Sequence, residues 1–350
     1  MIARALLRWY DRSKRDLAWR RDPSPYKTLV SEFMLQQTVV ATVEPYFMRF
    51  LARFPDVGAL AAASDDDVTA LWSGLGYYAR ARNLRRAAAA IVADHGGAVP
   101  ASEEALRALP GIGPYTAAAI AAIAFGARAF ALDGNAARVF ARLSGEHRPI
   151  DAPATRAALH ARGLAEVPRR RAGDFVQAVM ELGATVCTRA PRCEQCPVAA
   201  DCVARAAGDA ATLPRKRARA ARPAVRLVSA FVTDGARLLL VKRPAGLLAG
   251  TWSLPDAECG ADGKAVARRL AEEAGVRVAR VEHRGEVRHL FTHRDVTADV
   301  YRVEVTGSPA AADRRWITPG ALDGLGVSSF TRKTVKKATT TGFGPSKEEW

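Results

Sequence analysis

Long hydrophobic runs are missing from this sequence of 350 residues. The longest uninterrupted apolar run covers residues 117–125, which is nine residues. A helix that crosses a bilayer needs about 20. The apolar residues near the N-terminus are interrupted by Arg4 and Arg8 and do not form the core of a cleavable signal. These absences predict a soluble, cytoplasmic protein without a membrane partner.

Acidic residues are scarce relative to basic ones. There are 36 Asp and Glu against 52 Lys and Arg, which gives a formal net charge of +16. Hydrophobic residues make up 49% and charged residues 25% of the chain, and this ordinary globular usage excludes disorder, collagen and coiled coil as the main state. The excess of positive charge favours a polyanionic partner without identifying it.

Residues 1–213 show helical periodicity almost throughout, and no internal repeat is recognisable. Ser64 and Ser102 each precede acidic residues, as N-caps do. A stretch with six basic and no acidic residues follows at 214–226. It is typical of an interdomain linker and serves either as a solvated spacer or as a contact to phosphate or a partner.

The pattern changes after the linker. Residues 225–233 and 237–242 are strand-like and are joined by a tight Asp-Gly turn, and 264–274 has helical spacing. The sequence therefore predicts an all-α domain followed by a smaller α+β domain at 227–326, with a basic tail at 327–350.

Four of the five cysteines lie within sixteen residues and are spaced C-x5-C-x2-C-x5-C. Four thiolates this close can surround one metal centre, and the spacing leaves zinc and a [4Fe–4S] cluster open. A disulfide is the weaker alternative in a cytosolic chain. The fifth, Cys259, is interpreted as a core or surface residue. The four candidate ligands are Cys187, Cys193, Cys196 and Cys202.

The string Leu109–Thr116 (LPGIGPYT) places two glycines around one apolar residue ahead of an apolar helix. We expect Gly111 and Gly113 to permit a tight turn that aims backbone N–H groups outward at the positive end of the helix. Such a turn holds a DNA phosphate without reading sequence. The alternative is an ordinary helix connection.

With these motifs, residues 1–213 resemble the helix–hairpin–helix DNA glycosylases, and residues 224–326 resemble a Nudix-like domain. The match is narrowed by four strings, Leu17–Arg20 (LAWR), Ser31–Thr38 (SEFMLQQT), Gly74–Asn83 (GLGYYARARN) and Leu132–Asn135 (LDGN). Together they are similar to the adenine DNA glycosylases of the MutY type. The resemblance implies a helical barrel at about 21–129 and a four-Cys cluster subdomain made of 1–20 and 130–213.

The resemblance also implies the activity. Members of this family hydrolyse the N-glycosidic bond of adenine mispaired with 8-oxoguanine or guanine in double-stranded DNA, and they carry one [4Fe–4S] cluster. We therefore expect a monofunctional, base-flipping glycosylase that acts as a monomer and associates with the nucleoid if its source is bacterial. The first cysteine gap has five residues where the family usually has six.

Breaking such a bond requires protonation of the leaving base and a negative group beside the sugar cation. Glu32 lies in an otherwise apolar stretch, where burial would raise its pKa, and Asp133 precedes Gly134. Taken alone, each is as well explained as a locally satisfied helix-end carboxylate. The resemblance implies that Glu32 is the general acid on adenine N7, that Asp133 stabilises the sugar cation or its covalent adduct, and that Asn135 orients Asp133.

Position 115 separates two chemistries in the superfamily. The lyase relatives of the endonuclease III type carry a Lys that forms a Schiff base, and this chain has Tyr115, as the adenine glycosylases do. The resemblance implies that Tyr115 is a catalytic residue that supports the sugar-cation site. The resemblance assigns further residues to the adenine pocket, namely Trp19, Arg20, Leu35 and Glu181. It assigns DNA contacts to Gln37 and Tyr77, which enter the base stack, with Arg80 and Arg82 as phosphate contacts. The alternative for Tyr77 is that it packs between helices. The alternative for the two arginines is that they are solvated.

Phe291, Thr292 and His293 match the loop that recognises 8-oxoguanine in the family. The Nudix box is degenerate, since Arg269 replaces a motif Glu, so pyrophosphatase activity is not expected. Three rival functions remain. They are an endonuclease III-like lyase on oxidised pyrimidines, a non-catalytic metal-bearing DNA-binding protein and a nucleotide pyrophosphatase.

Overall fold

A computed structural model describes residues 2–218, 221–246, 248–259, 262–307 and 313–340. The chain divides into two compact units. Unit 1 consists of Met1–Ala62 and Asn83–Arg219, and unit 2 consists of Ala63–Arg82 and Ala220–Trp350. The segment 63–82, which the sequence suggests belongs to the helical barrel, thus groups with unit 2.

The described residues up to 218 contain helices and no strand, as the sequence predicts. The helices are α1 (Ala3–Ser13), α2 (Ala18–Arg21), α3 (Pro25–Leu35), α4 (Val40–Arg53), α5 (Val57–Ala62), α6 (Asp65–Leu71), α7 (Ala79–His95), α8 (Glu103–Ala108), α9 (Pro114–Phe125), α10 (Gly134–Ser144), α11 (Pro153–Glu166), α12 (Ala172–Thr185) and α13 (Val203–Ala206). No helix in the described ranges is both long and apolar enough to cross a membrane.

Capping chemistry sets several helix starts. The hydroxyls of Ser64 and Ser102 accept hydrogen bonds from backbone N–H groups three residues on, at 3.1 and 3.2 Å, and confirm the predicted N-caps of α6 and α8. Helix α9 is buried from Thr116 to Ala122 and packs against α3 and α12. This buried helix therefore lies between α3 and α12, which both carry residues of the candidate site.

Unit 2 is built on a mixed seven-stranded sheet. Its elements are β1 (Ala224–Thr233), β2 (Leu238–Lys242), β3 (Trp252–Ser253), β4 (Asp256–Glu258), α14 (Gly263–Glu272), β5 (Arg277–Leu290), β6 (Asp295–Thr306), β7 (Arg314–Ile317) and α15 (Ser329–Thr339). The strand order is β3-β2-β1-β6-β5, with β4 paired to β1 and β7 to β2. Strands β1 and β6 are parallel, and the other pairs are antiparallel.

The sheet is covered by one helix on each face. Val228 and Ala230 of β1 share a buried cluster with Ala267 of α14. Phe231, the next residue along the strand, shares a cluster with Val335 of α15. Because successive side chains of a strand point to opposite faces, α14 and α15 lie on opposite sides of the sheet. The predicted α+β domain is therefore a sheet between two helices.

The predicted basic tail is wrong for residues 329–339, which form helix α15. Phe330, Val335 and Ala338 are buried, and the lysines of the helix lie on its exposed side. The prediction rested on the positive charge of the segment and overlooked its apolar residues, which recur at helical spacing. Residues 341–350 of the predicted tail lie outside the described residues.

The first part of the basic linker is anchored to unit 1. The carbonyl of Arg215 accepts a hydrogen bond from the backbone N–H of Ile150 at 3.0 Å. The backbone N–H of Arg217 donates to the carboxylate of Asp151 at 3.2 Å. At the other end, β1 begins at Ala224, so the linker is shorter than predicted.

Candidate active site

A cavity of about 810 Å³ in unit 1 collects the predicted catalytic and pocket residues. Its walls come from α2, α3, α9, α10 and α12 and from the segments 10–17 and 38–41. The predicted residues that line it are Trp19, Arg20, Glu32, Leu35, Tyr115, Asp133, Asn135 and Glu181. Residues from positions 19 to 181 thus converge because α9 packs against both α3 and α12.

Glu32 lies on α3 and is only 5% exposed. Burial raises its pKa to about 7, and the charge of Asp133 adds to the rise, whereas a hydrogen bond from Tyr115 and the charge of Arg20 oppose it. Its Oε2 has no hydrogen-bond partner among the described residues. A carboxyl group in this state holds a proton near neutrality and has one oxygen free to deliver it.

Tyr115 lies in the first turn of α9 and donates a hydrogen bond to Glu32. Burial, together with the charges of Glu32 and Asp133, raises the pKa of Tyr115 well above its ordinary value. The phenol therefore remains protonated and is a permanent hydrogen-bond donor in the cavity.

Asp133 is the N-cap of α10, and its Oδ1 accepts a hydrogen bond from the backbone N–H of Ala136 at 2.6 Å. Burial raises the pKa of Asp133, although the backbone N–H groups of Ala136 and Asn135 and the charge of Arg138 lower it. The helix N-terminus thus surrounds this carboxylate with donors that favour its anionic form.

Arg138 is a contributor to the site that sequence reasoning missed. Its Nη2 donates to Oδ1 of Asn135 at 2.8 Å and to the carbonyl of Gly183 at 2.6 Å, and its Nε donates to the carbonyl of Cys187 at 2.7 Å. The side chain of Asn135 in turn bonds to Asp133. The signal available in the sequence was the i, i+3 spacing of Asn135 and Arg138 on one helix face.

Glu181 is 1% exposed and lies between two arginines. It accepts hydrogen bonds from Nε of Arg15 at 2.6 Å and from Nη2 of Arg20 at 3.0 Å. Burial by itself raises the pKa of Glu181, but the hydrogen bond from Arg15 and the charges of both arginines outweigh it, and the pKa is lowered. Arg20 also donates to Oε1 of Gln177 at 3.1 Å and lies over the ring of Tyr10. No sequence pattern singled out Arg15.

The two glycines of the predicted hairpin differ in what they require. Gly111 has φ +77°, and a Cβ placed on it would lie 2.5 Å from Cβ of Asn83. Gly113 has φ −87° as the N-cap of α9, and a Cβ there would meet no atom within 4 Å. Only Gly111 is demanded by backbone conformation. Gly113 instead leaves open space at the N-terminus of α9.

The two residues predicted to enter the base stack, which we call the wedge residues, share an unusual backbone conformation. Gln37 in unit 1 and Tyr77 in unit 2 have φ +57° and +51°, which non-glycine residues adopt rarely and at a cost of order 1 kcal/mol. Both are exposed, and the hydroxyl of Tyr77 contacts that of Thr292. Tyr78, in contrast, is buried and donates to the carbonyl of Val327 at 2.6 Å.

The structure contradicts the predicted phosphate contact of Arg80. Its side chain is buried, and Nη2 donates to the carbonyls of Leu75 and Gly76, both at 3.1 Å. Burial lowers the pKa of Arg80 to about 10. This arginine supports the turn before Tyr77. Arg82 donates to the carbonyl of Ala249 within unit 2 and is likewise committed to a protein contact.

Phe291, Thr292 and His293 form the turn between β5 and β6. The backbone N–H of Phe291 donates to the carbonyl of Arg294 at 2.9 Å. Thr292 and His293 are exposed, whereas the ring of Phe291 packs edge-on against His289 at a centroid distance of 4.5 Å. The turn therefore presents a hydroxyl and an imidazole to solvent, next to the packed ring of Phe291.

The four clustered cysteines line one small cavity in unit 1, and all are half-buried free thiols. Within the described ranges, no three Cys, His, Asp or Glu side chains converge closely enough to hold a single ion. The buried Arg142 donates from Nη1 to Sγ of Cys187 at 3.2 Å. Four soft sulfur donors beside a buried guanidinium suit an anionic metal–thiolate group.

Comparison with known proteins identifies both parts of the chain. Residues 30–162 match the family model of the HhH-GPD superfamily of base excision DNA repair proteins, and residues 228–337 match that of the NUDIX domain. The helical part also resembles a solved thermostable thymine-DNA glycosylase at 28% identity and a TM-score of 0.54, over 59% of this chain and 95% of that one. An endonuclease III–DNA complex, at 21% identity, a TM-score of 0.50 and coverage of 59% and 94%, shares the fold.

Two of the curated relatives cover nearly the whole chain. The adenine DNA glycosylases of Rattus norvegicus and Homo sapiens are each 37% identical over 95% of this chain, which corresponds to 77% and 73% of their own lengths. That of Mycolicibacterium smegmatis is 44% identical over 60% of this chain and 72% of its own. These matches confirm the predicted family, fold class and enzyme activity. The chain belongs to the adenine DNA glycosylase (MutY) family of base excision repair enzymes.

Proposed function

We propose that this enzyme removes adenine mispaired with 8-oxoguanine or guanine from duplex DNA, by hydrolysis and without lyase activity. The observation that carries the proposal is the pairing of Glu32 and Asp133 in one cavity. One carboxyl group has a pKa near 7 and a free oxygen, and the other is held by a helix N-terminus. Glycoside hydrolysis uses such a pair, one as acid and one as anion.

The substrate adenine reaches the cavity only after it leaves the base stack. Extrusion leaves a gap in the duplex, and Gln37 and Tyr77 are exposed side chains of a size to fill it. Their positive φ values direct them out of the flanking helices. The phosphate backbone lies at Gly111 and Gly113, where the open space in front of α9 lets a phosphate approach the backbone N–H groups.

Glu32 acts as the general acid. Its proton passes to N7 of the flipped adenine while the bond between N9 and C1′ breaks, and the bonding electron pair leaves with the base. Tyr115 donates to Glu32 and so fixes the orientation of the carboxyl group. Trp19, Arg20, Leu35 and Glu181 shape the pocket for the base, and the Arg15–Glu181 pair holds Arg20 in place.

Asp133 stabilises the positive charge that develops on the sugar, or the adduct that the sugar forms with it. Asn135 bonds to this carboxylate, and Arg138 in turn holds Asn135. Water then adds to C1′, and the proton that it loses restores the acid form of Glu32. Because position 115 carries a phenol instead of an amine, no Schiff base forms and the strand is not cleaved.

The turn of Phe291, Thr292 and His293 recognises the base opposite the adenine. The exposed hydroxyl and imidazole are suited to hydrogen-bond the edge of an oxidised guanine. The contact between Tyr77 and Thr292 supports this role. It joins the residue that enters the base stack to the turn that recognises the opposite base.

Cys187, Cys193, Cys196 and Cys202 would hold one [4Fe–4S] cluster, which supplies a structural cross-link within the 187–202 segment. Arg138 and Arg142 contact Cys187 and connect this segment to α10, whose N-terminus carries Asp133. Iron and sulfide analysis of the purified protein should give four of each per chain. Zinc in place of iron would contradict the assignment.

The decisive experiment is a glycosylase assay on duplexes that carry adenine opposite 8-oxoguanine, guanine or thymine. We expect base release from the first two, fastest opposite 8-oxoguanine, and none from A·T. Glu32→Gln should abolish release. Absence of release from A·8-oxoguanine would refute the proposal. Covalent trapping by borohydride on oxidised-pyrimidine duplexes would favour the lyase alternative.

A further inference from the structure

Unit 2 contains a second large cavity, between strand β5 and helix α15, with a volume of about 650 Å³. It is separate from the sequence motifs discussed above. We call it the β5–α15 cleft. Its lining residues are Glu282, His283, Arg284, Val287, Lys333, Lys336, Lys337 and Thr340.

The charge of the cleft is one-sided. Lys333, Lys336 and Lys337 are exposed, and none of the three forms an ion pair with a carboxylate among the described residues. The one lining carboxylate, Glu282, is paired with Arg284 at 3.0 Å. Three ammonium groups are therefore available to an anionic ligand.

The lining also limits what kind of anion fits. Val287 is its single apolar residue, and its one ring, that of His283, already packs against Tyr301 at a centroid distance of 4.9 Å. A free nucleotide would bring a base that needs an apolar or aromatic platform. Phosphate groups alone match this lining.

The cleft adjoins the recognition turn. Phe330, in the first turn of α15, packs against Phe291 and His289, both at centroid distances of 5.8 Å. Lys333 and Lys337 follow on the same helix at roughly 4.5 and 10.5 Å, at 1.5 Å per residue. Since each strand of a duplex carries one phosphate per roughly 3.4 Å of axis, the lysines span about two nucleotides.

We propose that the β5–α15 cleft binds the phosphate backbone of the DNA strand whose base is read by Phe291, Thr292 and His293. The inference rests on the function proposed for that turn. It gives α15 a role in DNA binding in addition to its place in the core of unit 2.

The test replaces Lys333, Lys336 and Lys337 together by Gln, which retains good helix propensity. The matched control replaces the exposed Lys264, Arg268 and Arg269 of α14, on the opposite face of the sheet, by Gln. Both proteins lose three positive charges from one helix of unit 2, so a difference between them reports position and not net charge. Melting curves check that each variant is folded.

Duplex binding is measured as a function of salt concentration, with undamaged and A·8-oxoguanine duplexes. Each lost phosphate contact lowers the slope of log K against log salt by about 1. The α15 variant should therefore lose 2 to 3 from the slope and bind about 10-fold or more weakly at low salt, with little change in the α14 variant. Equal slopes and affinities in the two variants would overturn the proposal.

Lysine acetylation of the native protein supplies a second readout. A duplex should protect Lys333, Lys336 and Lys337, and a mononucleotide at the same phosphate concentration should not. Equal protection by the mononucleotide would overturn the proposal in favour of a nucleotide site. If the enzyme releases adenine from A·8-oxoguanine but the α14 and α15 variants have the same salt slope, only the cleft proposal is refuted. A slope difference without base release defeats only the proposed function.

Discussion

The hydroxyl of Tyr77 lies in hydrogen-bond contact with the hydroxyl of Thr292. The two residues are separated by 215 positions in sequence, yet both belong to unit 2, because the segment 63–82 groups with the β-sheet. The ion pairs of Asp66 with Lys242 at 2.8 Å and Arg315 at 3.2 Å hold the segment there. A wedge residue and a recognition residue are thus parts of one structural element.

This contact predicts energetic coupling between the two side chains. Tyr77→Phe and Thr292→Ala should each reduce the preference for A·8-oxoguanine over A·G, and the double variant should lose less than the sum of the two, since residues in contact are non-additive. Single-turnover rates on both mispairs measure the preference. Additive effects would show that the hydroxyls act independently.

Glu32→Gln should stabilise the folded protein increasingly as the pH rises from 5 to 8. The folded-state pKa of Glu32 is about 7 against an ordinary value of 4.5. The native state therefore holds a proton that the unfolded state has released, and native stability falls by up to about 3 kcal/mol across this range. Gln carries no such titration. Chemical denaturation at several pH values measures the difference.

The control for this prediction is Glu104→Gln, an exposed glutamate in the first turn of α8. It makes the same chemical change on an exposed side chain and so reports what the loss of a surface glutamate does. A Glu32→Gln effect that is constant from pH 5 to 8 would mean that Glu32 is not protonated in the folded enzyme near neutrality.

Two substitutions of Asp133 separate chemistry from folding. Asn caps helices about as well as Asp, so Asp133→Asn should keep the stability of α10, whereas Asp133→Ala should lose about 1 kcal/mol. Both should slow base release by about 100-fold or more, because each removes the negative charge beside the sugar cation. Full activity in a folded Asp133→Asn enzyme would remove this residue from the mechanism.

The hairpin glycines form a second matched pair. Gly111→Ala should destabilise the protein by about 1–3 kcal/mol, since φ is +77° and the methyl group meets Asn83. Gly113→Ala should leave stability nearly unchanged, because its surroundings are open, but should weaken DNA binding if a phosphate occupies that space. Thermal melting and duplex binding measure the two effects. Unimpaired duplex binding by Gly113→Ala would place the phosphate elsewhere.

Local chemistry made much of this molecule predictable. Ser64 and Ser102 mark the starts of their helices in the sequence, because each is a serine followed by acidic residues. Their hydroxyls accept hydrogen bonds from the free N–H groups at the helix N-terminus. The Asp-Gly turn between β1 and β2 was recognisable because a tight hairpin turn needs a residue with positive φ, and Gly235 has φ +102°. The four cysteines and the LPGIGPYT string are contiguous motifs, and no long-range contact is needed to find them.

Partners distant in sequence were not predictable. Arg82 is indistinguishable from a solvated arginine until Ala249, which is 167 positions away in sequence, is placed beside it. Arg15 gains a role only when α12 brings Glu181 against it. Helix α15 was misinterpreted because the charge of its lysines outweighs three apolar residues whose partners lie on the sheet.

The sequence by itself determined the family, the order of the domains and the identity of the chemically active groups, since these are carried by residue types at short spacing. Tertiary structure decided the state of those groups. The pKa of Glu32 rises to about 7 because packing excludes water from it, and Asp133 is held by N–H groups that exist only once α10 has formed. The placement of Tyr77 beside Thr292 and the basic cleft of α15 likewise depend on contacts between segments more than 40 residues apart, which no local pattern encodes.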